Sequence, residues 1–266
     1  MRSLLTVGLL RLVMLAAFCA LLGACATRES GYGVGAQAER EAQLQQSTRD
    51  TAPDTPGMYL GLIDRMQAQG LYYASLAHID AYEKQYGASP DSILLRADAL
   101  RATDQPVASA AAYTRLLQTP LAARGYRGLG LLAGASGNFA RASQEIDTAA
   151  QLAPTDVATL SDLGYARLRA GDVAGARVPL MKAGELDGHN QKVISNIVLY
   201  LLADGQTARA QALIKDQKFT PEVRARIRDE AAQVAAASRA RQRAPKPNST
   251  SASAAPVASV RDIGQP

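Results

Sequence analysis

A period of 34 residues constrains this chain more than any other feature. Units set at Pro56, Pro90, Ala123, Val157 and Gln191 follow one another at steps of 34, 33, 34 and 34 residues, and similar side chains return at the same places in each. The mid-unit position reads Gly70, Asp104, Gly137, Gly171 and Gly205. Five residues later the side chain is small: Ser75, Ser109, Ala142, Ala176 and Ala210. Four further on it is large and apolar: Ile79, Tyr113, Ile146, Leu180 and Ile214. Near the start of each unit stand Tyr59, Ile93, Tyr126, Leu160 and Ile194. Three residues later come Leu62, Arg96, Leu129, Leu163 and Ile197, with Arg96 the exception, then Ile63, Ala97, Gly130, Gly164 and Val198.

Each column has a physical reason. Apolar residues at spacings of three and four form the buried stripe of a helix. Glycine after the first helix ends it in a left-handed cap and turns the chain. Small residues let two helices approach closely. Aromatics are only 5% of the chain while hydrophobic residues are 47%, with alanine prominent, which suits packed helices better than strands. Units three and four, with Tyr126-x-x-Leu129-Gly130 and Leu160-x-x-Leu163-Gly164, closely resemble the tetratricopeptide repeat, a helix–turn–helix unit of 34 residues. The resemblance implies an all-α fold: a right-handed superhelix of about five units over residues 56–220.

The unit ends fit this reading. Pro154 closes the third unit, and Gly188 with Asn190 takes the place of that proline in the fourth. Pro179 falls inside the second helix of unit four, where it removes a backbone hydrogen bond and is expected to kink the helix. Thr220-Pro221-Glu222 reads as a helix start, and Val223, Ile227 and Val234 form a narrow apolar stripe. The expectation is a capping helix over 221–238 that covers the last repeat, followed by an Ala/Ser/Pro-rich disordered tail over 239–266.

Residues 1–24 read as a secretory signal: Arg2 near the start, then a largely apolar run from Leu4 to Leu22. The run is nearly long enough to span a membrane, which leaves a plain anchor as the competing reading. It ends, however, in Leu22-Gly23-Ala24-Cys25, which resembles the bacterial lipoprotein processing site. That resemblance implies acylation of Cys25 and cleavage just before it. Cys19 leaves with the signal, so the mature chain has neither a disulfide nor a free thiol. Ala26 stands where an Asp commonly marks inner-membrane retention, which implies the periplasmic side of the outer membrane. Residues 25–55, rich in Gly, Gln, Thr and Ser, read as a flexible tether with at most a short helix over Ala36 to Gln46; thirty residues of coil reach about 30 Å.

The net charge of +5 is unevenly spread. Arg2 and Arg11 lie in the signal. From Lys215 to Lys246 there are nine Lys/Arg against four Asp/Glu, so Cys25 to Ile214 carries −2. A basic segment on a near-neutral body is not the pattern of a nucleic-acid-binding domain. A solvated tail is the plain reading; anionic lipid or an acidic partner is the other. Catalytic constellations are missing. His78 and His189 lie in different units without zinc-ligand spacing. No Gly-x-Ser-x-Gly or phosphate-binding Gly-Lys-Ser/Thr run occurs, and Gly31-Tyr32-Gly33-Val34-Gly35 lies in the tether with no strand before it. The chain reads as a non-enzyme without cofactor, metal or small-molecule substrate.

In the repeat family the first helices line a concave groove. The corresponding positions here are Arg124, Arg127 and Leu131 in unit three, Ser161, Tyr165 and Arg169 in unit four, and Lys192, Ser195 and Leu199 in unit five; units one and two offer Asp64 and Asp98. A peptide with apolar anchors and some acidic residues fits such a groove. Further stretches, Met58-Tyr59-Leu60-Gly61-Leu62-Ile63, Leu94 to Arg101, Leu160 to Asp187 and Asn196 to Leu202, together resemble TadD, the tetratricopeptide lipoprotein family of the tight-adherence (Flp) pilus apparatus. This resemblance covers about Leu22 to Ala235 and implies a pilotin-like role toward a secretin or another pilus-assembly component. An envelope adaptor that recruits peptidoglycan-remodelling enzymes is the alternative, because fold alone does not separate the two.

Overall fold

The computed structural model describes residues 55–243. The signal segment, Cys25, nearly all of the tether and most of the tail lie outside the described residues. Those that are described form a stack of helix pairs: α1 (Pro56–Ala68), α2 (Tyr72–Tyr86), α3 (Pro90–Ala102), α4 (Pro106–Leu116), α5 (Ala122–Ala135), α6 (Phe139–Leu152), α7 (Val157–Arg169), α8 (Val173–Leu186), α9 (Gln191–Ala203) and α10 (Thr207–Asp216). A longer helix, α11 (Pro221–Arg243), follows.

The turn column behaves as its residue types demand. Gly70, Gly137, Gly171 and Gly205 have φ between 76° and 80°, and Asp104 takes the left-handed conformation at φ 57°. Asn138, Asp156, Asp172 and Asn190 then cap the helices that follow them, each side chain accepting from backbone N–H groups of the first turn. Ser89 does the same through a reciprocal capping box with Ser92.

Burial follows the columns. Ile79, Tyr113, Ile146 and Leu180 are almost wholly enclosed, as are Ala97 and Val198. The apolar clusters succeed one another along the stack, from Ile63, Ile79 and Tyr82 at one end to Leu168, Leu180, Val198 and Leu201 at the other. Each unit therefore depends on its neighbours for a core. Several close approaches need glycine, Gly128 against the Tyr113 ring among them. A Cβ on Gly164 would fall on the Leu180 side chain, and one on Gly130 would fall on Ile146.

Pro179 is accommodated without ending α8, which runs through it to Leu186. The carbonyl that loses its helical donor is that of Gly175, four residues earlier. Arg167 Nη1 donates to this oxygen at 2.9 Å, while its Nη2 bonds Asp147 Oδ1 at 2.6 Å. A side chain from α7 thus supplies the hydrogen bond that the proline ring cannot.

First helices of neighbouring units touch one another (α1 with α3, α3 with α5, α5 with α7, α7 with α9), and second helices do not approach one another comparably. The first helices therefore form the inner, tighter face of the curve. The structure departs from the sequence reading at α11. This helix continues past Ser238 to Arg243, so the first residues assigned to a disordered tail are helical. It covers the last repeat, as expected, by packing on α9, and it extends along the inner face to α7. Val234 is fully buried, the Ala237–Ser238 backbone lies where a Cβ on Gly171 would sit, and Arg241 pairs with Asp172 at 3.7 Å.

Candidate partner-binding groove

The inner face carries two adjoining hollows. One is a slot of about 460 Å3 between α5, α6 and α7, bounded by Gly130, Leu131, Gly134, Phe139, Tyr165 and Arg169. The other, about 490 Å3, lies between α7, α9 and the start of α11 and shares Leu131, Asp162 and Tyr165 with the first. Of its lining glycines, Gly130 serves the close crossing of α5 on Ile146 of α6, and a Cβ on Gly134 would meet Phe139 and Ala142 at ordinary contact distance.

Arg169 is held by aromatic groups. Its guanidinium lies 4.3 Å from the Phe139 ring centroid, and its Nη1 donates to Tyr165 Oη at 2.7 Å. Phe139 and Tyr165 meet edge to face at 6.4 Å. Burial raises the Tyr165 hydroxyl above its ordinary pKa; the Arg169 bond opposes this, and the Glu230 carboxylate on α11 reinforces it. Tyr165 is thus a neutral phenol at the junction of slot and α11, fixed before any partner arrives.

The sequence-derived basic side chains are not equivalent. Asp162 is only 4% exposed and joins three units: Arg127 of α5 donates to its Oδ2 from Nε at 2.9 Å and from Nη2 at 2.8 Å, and Lys192 of α9 reaches its Oδ1 at 2.5 Å. Arg127 and Lys192 already have a carboxylate and fasten the stack. Arg124, exposed on α5, and Arg169, lining the slot, supply the remaining positive character.

Ser161 is buried and accepts from Asn196 Nδ2 at 2.9 Å, linking α7 to α9. Leu199 is buried as well, in the apolar cluster that contains Ile227 and Val234 of α11. Ser195 donates to its own helix at Gln191 O. Leu131 and Tyr165 remain half-buried and line both hollows. In the early units Asp64 is exposed, whereas Asp98 accepts from the Tyr113 hydroxyl and lies 3.7 Å from Arg101. Phe139, Asp162 and Glu230 escaped the sequence reading. Asp162 stood in a recognised stretch, yet a carboxylate on a helix reads as solvated until its neighbours are placed.

Among the described residues no cluster of His, Cys, Asp or Glu is able to hold a metal ion, and no helix is long and apolar enough to cross a membrane.

No protein-family model matches the chain. TPR repeat-containing protein PA4299 of Pseudomonas aeruginosa is 32% identical over 203 residues, 74% of each chain. Among solved structures, TTC0263, a thermophilic TPR protein of Thermus thermophilus, superposes with a TM-score of 0.56 at 18% identity, over 67% of this chain and all of that one. Pseudomonas aeruginosa pilF gives 0.55 at 17% identity, over 67% and 88%. The two structures are alike in fold.

Proposed function

We propose that this chain, which belongs to the tetratricopeptide-repeat family, is a non-enzymatic scaffold that holds a protein segment in the slot between units three and four. One observation carries the reading: a largely apolar hollow lined by Leu131, Ala135 and Ile146 beside a pre-ordered Phe139–Arg169–Tyr165 cluster, on the inner face of a repeat stack. An apolar side chain fits the floor. A neighbouring carboxylate on the segment pairs with Arg169 or Arg124 through charge-assisted bonds. Ordering the cluster in advance lowers the entropic cost of capture.

The finer reading joins this slot to the N-terminus. Leu22-Gly23-Ala24-Cys25 supports a lipid anchor, and Ala26 supports residence at the outer membrane. The TadD-like stretches support a pilotin-like role in assembling or localising the secretin of a tight-adherence pilus. Cys25→Ala tests the anchor: labelled fatty acid is expected to enter the wild type and not the variant, and equal labelling refutes the lipidation.

Replacing both Tyr165 and Arg169 by Ala is expected to weaken partner capture about tenfold with helical content retained. The measurements are secretin multimer level and surface pili, beside a deletion strain. Normal multimers and pili in the deletion strain overturn the pilotin-like role and shift the reading to a wall-enzyme adaptor. Loss in the deletion strain with full function in the double variant keeps the role and discards the slot.

A further inference from the structure

Among the described residues, the stack ends on a second helix that no following helix covers as it does in the other units. In units one to four the second helix is covered by the first helix of the next unit: α3 packs on α2, α5 on α4, α7 on α6 and α9 on α8. The equivalent place beyond α10 is where a closing helix belongs. Because α11 packs along α9 and α7, that place is not filled in the same way. One column records the consequence. Ile79, Tyr113, Ile146 and Leu180 are at most 2% exposed, whereas Ile214, the fifth member, is only half-buried.

Around Ile214 lies a cleft of about 700 Å3, with Phe219 and Ile227 on its apolar floor and Lys215, Lys218, Arg224 and Arg228 at its rim; no carboxylate lines it. Asp216, Glu222 and Asp229 adjoin the lining residues in sequence but do not line the cleft: Asp216 accepts from the Gln217 amide, and Glu222 is engaged by the Thr220 hydroxyl. The last unit is also more polar here than its predecessors. Gln217 occupies the column in which Tyr82, Leu116, Ala149 and Ala183 are buried. The end is therefore wettable when empty, as suits an exchangeable interface more than a permanent one.

We propose that this end docks an amphipathic helix of a partner protein, apolar on one face and acidic on both flanks, which takes the place a next repeat's first helix takes elsewhere in the stack. The occupant is a helix because four successive interfaces of the same geometry use one. Its flanks are acidic because four cations share the rim without a lining carboxylate. Each exposed pair is individually weak, but together they steer approach and select charge. The surface is separate from the slot of units three and four and does not rest on that reading.

The test uses the purified full-length chain and a fluorescent synthetic amphipathic helix with Leu on one face and Glu on its flanks, beside the same helix with Lys for Glu. The Glu helix is expected to bind at least about tenfold tighter at low salt, with the advantage falling as salt screens the charges. The variant K215E/K218E/R224E/R228E should reverse the preference with an unchanged helical circular dichroism spectrum. Lys218→Glu alone, on the exposed turn, should reduce it and keeps the test readable if the fourfold variant does not fold. Tyr165→Ala with Arg169→Ala should leave it unchanged. Equal affinities, no saturable binding, or a preference that survives charge reversal overturns the proposal. So does a preference lost only in the Tyr165/Arg169 variant, which moves the site to the slot. Self-association of the chain abolished by the charge reversals overturns it too, making a second copy the occupant.

Discussion

Gly164→Leu is expected to destabilise the protein by about 3 kcal/mol, the upper part of the range for overpacked cores. Gly164 lies in α7 where α8 crosses closest, and even a Cβ there falls on the Leu180 side chain. Leu180 is fully enclosed and shares its cluster with Leu168, Ala176 and Val198, so it has no free rotamer to retreat into. The helices must separate, and every contact along that interface weakens. Thermal unfolding followed by circular dichroism should show the midpoint lowered by about 6–12 °C for a domain of this size. Gly61→Ala is the control. Nothing lies within 4 Å of a Cβ there, so removing a flexible helical glycine should be neutral or slightly stabilising. Wild-type stability of Gly164→Leu would show that α7 and α8 do not meet as described.

Asp162→Ala is expected to cost about 3 kcal/mol, near the lower end for breaking a buried ion pair from one side. The carboxylate is 4% exposed and serves Arg127 and Lys192 together. Its removal leaves the Arg127 guanidinium, with a side chain 20% exposed, without its partner at the junction of α5 and α7. Lys192, with a side chain 59% exposed, recovers much of its hydration, which keeps the cost from being larger. In a nearest-neighbour stack the damage stays local. Urea unfolding gives the magnitude, and hydrogen exchange gives the place: faster exchange in α7 and α9, with α1 to α4 unchanged. Uniformly faster exchange, or none, would contradict the picture of Asp162 as a fastener of units three to five.

Much of this architecture is legible in one dimension because a repeat states its rule five times. The left-handed turn column is a backbone requirement, and Gly or Asp answers it at the middle of each unit. The buried column from Ile79 to Leu180 is a requirement of local helical spacing. Both are short-range, so sequence carries them directly. Leu131, Tyr165 and Arg169 were legible as inner-face residues for the same reason: helical period and unit alignment together fix the face.

What the sequence did not disclose depends on side chains far apart along it. The stripe Val223, Ile227 and Val234 announces that α11 must cover something, but amphipathicity does not say what. The end of the stack and the inner face both offer apolar area. Only the tertiary structure chose the inner face, with Gly171 sparing the space for the Ala237–Ser238 backbone and Arg241 reaching Asp172. Likewise Arg127 and Lys192 stand 35 and 30 residues from Asp162, and the three look like separate solvated charges. Stacking the units brings them within hydrogen-bond reach and turns two of the expected partner contacts into internal ones. Sequence by itself determined the helices, their turns and the faces they bury, because those follow from backbone conformation and local period. The closing of part of the groove by α11, its departure from the face of α10 and the commitment of each charge were decided by tertiary structure, because each depends on which distant surfaces share space.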